Sequence, residues 1–493
     1  MPYHRLQSPA MPRFLSKGWR TITLTLLGMA LILAGVILAF PRLHETYAYQ
    51  NTPKLTQSDW PTYMYNVSRS GYNQAETVIN SKSAPSLHLH WTIQSGGRIF
   101  SQPIVAHGMV YWGSFDGFEH AATLNGQQVW ETNLGAATSC APYLPLGVIS
   151  SAAVASVPIN GTSKSVVFVG GGDDNLYALD ALTGAIIWRT AIGNPSTNTF
   201  IWDSPLVLNN NVYIGSATTG EGAGCSLIPG QFSKLDASTG TIKKTFNTVP
   251  AGCAGGGIWS SPTYDATDGS FFLTAGTQGK CSTDHISVGI VKLGASDLTY
   301  EDSWQIPLKQ RLTTDADFAT TPMLFTATIM GVQQNMVGAT DKNGVFYAFN
   351  RASLSSGPVW SAVIATAGLC PQCGKSSISS SVWDGSSLFV ASSQTTIAGV
   401  LCGGGVRALD PATGNFIWET CLPRSVIGAL SEIPGVLAVT DGAGAKGGDL
   451  FLLDTTTGNQ LFTYQGSFYG PVSISNGVLY VGSTTGKLYA FGS

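Results

Sequence analysis

Apolar and polar positions alternate through most of this chain, in short runs broken by Gly, Asn, Asp and Ser/Thr clusters. Period-two alternation bounded by such clusters predicts β-strands, and helical periodicity is absent after the N-terminus. Four segments share one plan: "LYALDALTGAIIWRT", "FSKLDASTGTIKKTF", "VRALDPATGNFIWET" and "LFLLDTTTGNQLFTY". In each, a strand ends in Asp, a Thr-Gly turn follows, and a second strand carries an aromatic. That aromatic recurs as Trp91, Trp130, Trp188, Phe246, Trp304, Trp360, Trp418 and Phe462, at steps of 39, 58, 58, 58, 56, 58 and 44 residues. One run breaks the alternation. Thr21 to Phe40 is twenty residues without a charge.

The repeat predicts an all-β fold. Each step accommodates four short strands, read in the unit ending at Trp418 as "SISSSVWDG", "SLFVASSQ", "GVRALDPATG" and "NFIWETCL". Four-stranded sheets repeated radially make a β-propeller, here of eight blades. The last unit, "PVSISNGVLYVGSTTGKLYAFGS", supplies only three strands, and "SLHLHWTIQ", Ser86 to Gln94, is the predicted fourth that closes the ring. At about 1.5 Å per residue the run 21–40 spans a hydrocarbon core of roughly 30 Å and predicts one transmembrane helix. Arg5, Arg13, Lys17 and Arg20 precede it with no acidic residue, which keeps the N-terminus cytoplasmic and places the rest outside. A cleaved signal ending at Thr46-Tyr47-Ala48 is the alternative. The expected organisation is a basic tail (1–20), an anchor (21–40), a lead-in (41–85) and the propeller (86–493). The expected location is the cell membrane, single-pass, with the propeller extracytoplasmic.

Composition agrees. The 58 Gly, 12 Trp and 11% charged residues suit a turn-rich β protein, and a net charge of −3 argues against nucleic acid as a partner. With strands lettered A to D from the axis outward, the C–D turns lie on one face and the B–C and D–A loops on the other. All eight cysteines fall on the B–C/D–A face. In an exported chain their even number predicts disulfides. Cys402–Cys421, Cys225–Cys253 or Cys253–Cys281, and a small Cys370–Cys373 loop are the expected pairings. No histidine triad or metal spacing is present.

The "ALDxxTGxxxW" pattern resembles the repeat of the pyrroloquinoline quinone (PQQ) propellers over nearly all of residues 58–493, and "DWPTYMYNVSRSGYN", from Asp59, resembles the lead-in of that family. The resemblance implies a quinoprotein dehydrogenase-like fold. Four segments on the cysteine-bearing face resemble the dehydrogenases' quinone site. "GGGIWSSPTYD" puts Trp259 where the family has a Trp flat against the quinone. "TTGEGAGC" makes Glu221 the implied calcium ligand. "TTDADFATTP" makes Asp317, with Asp315 as second choice, the implied catalytic base. "DKNGVFYAFNR" makes Lys342 the implied contact to the quinone carbonyls. The implied cofactors are PQQ and Ca²⁺, the latter held by Glu221, Thr277 and Asp317.

Three departures matter. Thr277 stands where the family has a calcium-binding Asn, Ser150-Ser151 stand where its alcohol-oxidising members have adjacent cysteines, and no CxxCH haem motif occurs. The pattern of small and apolar residues resembles the polyvinyl alcohol dehydrogenase-like branch. The expected activity is oxidation of an alcohol or sugar hydroxyl, on a small molecule or a polymer, with electrons leaving to a separate acceptor. A noncatalytic propeller, acting as an envelope scaffold or ligand-binding module, is the competing expectation, because the same repeat also builds such proteins.

Overall fold

Each repeat unit is an antiparallel meander whose outermost strand carries the repeated aromatic. The computed structural model describes residues 58–493 except 141–143, 222–223, 282, 314, 319, 369, 371–372 and 443–446. The apolar run 21–40 lies outside the described residues, and among those described no helix is long and apolar enough to cross a membrane. The first meander is Ile104–Ala106, Met109–Gly113, Phe118–Thr123 and Gln128–Asn133. Five further meanders follow, beginning at Ala153–Ile159, Leu206–Leu208, Thr263–Asp265, Met323–Ile329 and Val382–Trp383. Seven further strands form one sheet, and two small hairpins, Ala137–Thr138 with Pro145–Leu146 and Thr395–Ile397 with Val400–Cys402, stand apart from it. Its long strand Gln460–Ser475 pairs through its first half with Gly448–Asp454 and through its second with Val478–Ser483. His88–Gln94 pairs antiparallel with Lys487–Gly492, so the strand missing from the end of the chain is supplied near its start. The architecture is an all-β propeller.

The repeat's aromatic joins each unit to the next. Trp130 Nε1 donates to Ala181 O at 3.0 Å, Trp188 to Ala237 O at 2.9 Å, Trp360 to Pro411 O at 3.0 Å and Trp418 to Thr455 O at 3.0 Å. Each acceptor lies in the following unit's Asp-x-x-Thr-Gly turn. The Asp shapes that turn: Asp180 Oδ1 accepts from the amides of Leu182 and Thr183, and Asp410 does the same for Ala412 and Thr413. The Gly serves two needs. Gly184 has φ +70°, and a Cβ there would run into the Trp130 ring. The sequence plan is thus a docking motif in which indole, Gly and Asp depend on one another across the unit boundary.

A second device binds the units near the axis. Ser151 Oγ accepts from Gln102 N (2.8 Å), Ser204 Oγ from Ser151 N (3.0 Å), Ser261 Oγ from Ser204 N (2.9 Å), and Ser380 Oγ from Thr321 N (3.1 Å). Hydroxyls at matching places thereby satisfy buried amides of neighbouring units, each bond contributing about 0.5–1.5 kcal/mol net.

The lead-in runs across the inner strands. Trp60 bridges Val105, Val154 N donates to Pro61 O, and Tyr264 N donates to Val67 O. Trp383 N donates to Ser70 O, Glu432 N to Gly71 O, and Asn73 Nδ2 to Ile474 O. Tyr63 OH reaches Ser380 Oγ. Residues 58–73 therefore pack along the axis against inner strands from most of the units.

Candidate functional site

Lys342 sits in the turn between Val332–Thr340 and Val345–Asn350. Gly344, at φ +81°, donates to Asp341 O and so closes the turn. Asp341 is fully buried beneath it, accepting from Val345 N and Asn343 Nδ2, and burial pushes its carboxyl up to about 7. Lys342 N donates to Asp317 O at 2.9 Å, and Phe318 bridges Asp341. The turn is stitched to the loop that carries both candidate bases.

The side chains complete this link. Lys342 Nζ lies 2.7 Å from Asp315 Oδ1 and 2.8 Å from Asp317 Oδ1. It also sits 4.9 Å from the centroid of the Trp259 ring, a cation–π contact. Trp259 Nε1 donates to Asp317 Oδ2 at 3.2 Å. Thr277 Oγ1 donates to Glu221 Oε2 at 2.7 Å and lies 3.5 Å from Asp315 Oδ1. All six residues expected from the sequence are thus joined in one network. Lys342 is no solvated turn residue, since its side chain keeps only 12% of its exposure and that of Asp317 keeps 2%. Glu221 is exposed at the rim, held also by Thr218 Oγ1 at 3.4 Å.

Three neighbouring loops present Glu221, Trp259 and Thr277. Ile228 O, Gly255, Thr277 O and Gly257 O are linked by backbone hydrogen bonds from Gly255 N, Gly256 N and Gly276 N. Thr277 and Trp259 are thereby held on neighbouring segments. Gly276 lets them approach: a Cβ there would stand 3.1 Å from Asp317 Oδ2 and 3.3 Å from Trp259 Cδ1. Cys253–Cys281 closes these segments at one end, with Cα atoms 5.6 Å apart. Cys402–Cys421 and Cys370–Cys373 form as expected. Cys225 corrects the expectation. It pairs with Cys140 rather than Cys253, because the loop after the first meander lies against its own: Cys140 N donates to Thr219 Oγ1 at 2.9 Å.

The charges divide in a definite order. Burial raises the Asp317 carboxyl to about 8; Lys342 opposes this, while Asp315 and Glu221 add to it. Burial works against the Lys342 cation, but Asp317 and Asp315 outweigh it and push Lys342 up. Lys342 therefore stays charged through neutral pH, and Asp317 is the acid that ionises late. Among the described residues no cluster of three His, Cys, Asp or Glu side chains is placed to hold a metal ion. Two open clefts of about 410 and 430 Å³, between loops around Thr138, Pro195 and Gly224, are lined by none of the six residues.

Sequence reasoning missed Trp202, although the signal was present. Trp202-Asp203-Ser204-Pro205 repeats the plan of Trp259-Ser260-Ser261-Pro262 one unit earlier. Trp202 Nε1 donates to Thr218 O at 2.6 Å, beside Glu221.

An all-β propeller with an indole, a lysine and two aspartates meeting on its B–C/D–A face defines the class as PQQ-type propeller repeat proteins. The chain belongs to the PQQ_2 family, described as Outer membrane protein assembly factor BamB, whose match takes in residues 83–216, 120–282 and 254–493. It is 26% identical over 254 residues to the quinohemoprotein alcohol dehydrogenase of Comamonas testosteroni, covering 44% of this chain and 33% of that one. It is 25% identical over 225 residues to a Pseudomonas polyvinylalcohol dehydrogenase, covering 41% and 33%. The match thus spans about a third of each relative's length. The crystal structure of the Comamonas testosteroni enzyme superposes with a TM-score of 0.67 at 17% identity, covering 88% of this chain and 80% of that one. That likeness establishes a shared fold.

Proposed function

We propose that this chain is an eight-bladed PQQ propeller that oxidises the hydroxyl of an alcohol or sugar, small or polymeric. In this reading residues 21–40 anchor it in the cell membrane with the propeller outside, and a separate acceptor takes the electrons. Dividing the seven-stranded sheet within Gln460–Ser475 supports that blade count, since it gives two four-stranded units to add to the six meanders. One observation carries the functional reading: Trp259, Lys342, Asp317, Asp315, Thr277 and Glu221 form a single contact network.

The residues fit the cofactor. Trp259 is half-buried, a suitable platform for a planar tricycle, and a Cβ at Gly276 would stand 3.3 Å from its ring. Lys342 supplies the cation that quinone oxygens require. When bound, PQQ supplies a two-electron acceptor. The Glu221, Thr277, Asp315 and Asp317 oxygens are the donor chemistry of a hard cation such as Ca²⁺, and Glu221, Thr277 and Asp317 are the proposed ligands. Asp317, buried and late to ionise, takes the substrate hydroxyl proton. A base whose pKa lies near the working pH combines availability with driving force. Lys342 orients that carboxylate and stabilises negative charge developing beside it.

A noncatalytic binding module is the second reading, favoured by the saturation of Lys342 by two carboxylates and by Thr277 in place of an amide. Spectra of the detergent-solubilised full chain titrated with PQQ, with and without Ca²⁺, test the first reading. A bound-quinone absorbance with turnover of an alcohol supports it. Absence of both leaves the binding module.

A further inference from the structure

Arg69 is fully buried at the axis, and its guanidinium spans three stretches of chain. Nε donates to Pro262 O at 2.9 Å. Nη1 donates to Thr62 Oγ1 at 2.9 Å and to Tyr63 O at 2.7 Å. Nη2 donates to Ser204 O at 3.3 Å and to Pro205 O at 3.1 Å. Among the described residues no carboxylate comes within ion-pair distance of it; burial lowers its pKa to about 10, with Tyr63 and Asp203 opposing.

A buried cation without an ion partner is costly, and here the hydrogen bonds to five acceptors offset that cost. What the guanidinium adds is a rigid planar fork of five donors. Its targets are informative. Ser204, Pro205 and Pro262 are the carbonyl ends of the two matching segments that begin with Trp202 and Trp259. Ser204 N donates to Ser261 Oγ at 2.9 Å, tying one segment to the other. At their other ends, Trp202 Nε1 donates to Thr218 O and Trp259 Nε1 to Asp317 Oδ2. Ser260 and Thr274 share a hydroxyl contact, and Thr274 Oγ1 donates to Thr320 O at 2.9 Å, so the Trp259 segment is also fixed to the Asp317 loop.

We infer that Arg69 is a positioning residue for Trp202 and Trp259, setting one indole on Thr218 O and the other on Asp317, so that the lead-in forms part of the site. The inference deepens the reading of Trp259 as a binding platform, but it rests on contacts that need no cofactor.

The test uses the full chain with ¹⁵N-labelled Trp, in wild type, Arg69→Lys and Arg69→Met. The indole N–H signals are assigned through Trp202→Phe and Trp259→Phe. In both Arg69 variants the Trp202 and Trp259 signals are expected to shift, while those of Trp130, Trp188 and Trp418 stay in place. If Arg69→Met does not fold, folded Arg69→Lys decides, because lysine keeps the charge and loses the fork. Unmoved Trp202 and Trp259 signals in a folded variant would overturn the inference. Loss of every Trp signal in both variants would overturn it equally, by marking a general structural role. PQQ titration into the same proteins separates this result from the functional proposal: wild type that binds no PQQ defeats the latter and leaves the indole shifts standing.

Discussion

Lys342 and Asp317 meet at 2.8 Å with both side chains almost withdrawn from water. Neither charge is tolerable there alone. The pair is unequal, because Lys342 also serves Asp315 at 2.7 Å while Asp317 has like charges near it. Its raised pKa makes Asp317 the place where the network can take up or release a proton. That relationship leads directly to two outcomes.

Lys342→Met should destabilise the protein in a pH-dependent way. The folded Asp317 pKa is raised above its unfolded value of about 3.9, so its ionisation weakens the fold as pH climbs from about 4 to about 8. Removing Lys342 raises it further, so the decline runs on above pH 8, where that of the wild type levels off. Near pH 5, where Asp317 already holds its proton, a loss of about 1 kcal/mol is expected. Near pH 9 the loss is about 1 kcal/mol larger, because Asp317 is then ionised in the wild type and still protonated in the variant. Urea unfolding at both pH values measures this, and equal losses would contradict the assignment.

If Asp317 is the base as proposed, the activity of the wild type should rise with pH along a limb near 8, because that carboxyl must be ionised to act. Ca²⁺ should move that limb down by favouring the carboxylate. Asp317→Asn should spare PQQ binding and lower kcat by about 10²–10⁴-fold, the range of general base catalysis. A pH profile that is unchanged in this variant would remove Asp317 from the reaction.

Much of this architecture could be read from the chain. The Trp steps set the unit boundaries because each indole must reach the next unit's turn, and the missing last strand pointed to Ser86 to Gln94, of which His88–Gln94 forms the strand, because an antiparallel sheet edge needs a partner. The site residues came from resemblance, and they cluster because each lies at a B–C or D–A position. The rest had no local signal. Cys225 pairs with Cys140 across 85 residues of sequence, and loop lean is not written in strand alternation. Four of the five Arg69 acceptors are backbone carbonyls, which every residue possesses. The serine hydroxyls near the axis read as ordinary turn residues until their bonds to the next unit are seen.

Deleting Ser86 to Gln94 should destabilise the whole propeller. The deletion exposes the strand Lys487–Gly492 as an open edge and removes Trp91, whose Nε1 donates to Leu124 O at 3.0 Å in the first meander. Both the closing pairing and one unit-to-unit docking contact are lost together. Thermal unfolding should shift downward for the entire protein, and an unchanged melting temperature would show that closure lies elsewhere.

Thr277 is the position where substitution should improve the site. Its hydroxyl lies between Glu221, at 2.7 Å, and Asp315, at 3.5 Å, so it occupies the middle of a row of oxygens. Ca²⁺ takes six to eight oxygen ligands, and a hydroxyl is a weaker one than an amide carbonyl. Thr277→Asn supplies that carbonyl from the same loop, with Gly276 leaving the backbone path unobstructed. Calorimetric titration with Ca²⁺ should therefore show tighter binding to Thr277→Asn than to wild type, by about tenfold for one improved ligand. Glu221→Gln should weaken it by removing the rim charge. Each substitution also has an expected effect on Asp317. Tighter Ca²⁺ binding should lower the pH at which the Trp259 indole signal titrates, because a cation favours the ionised carboxylate. If neither wild type nor Thr277→Asn binds Ca²⁺, the oxygens around Thr277 serve Lys342 alone, and the proposed metal ligands fall with that result.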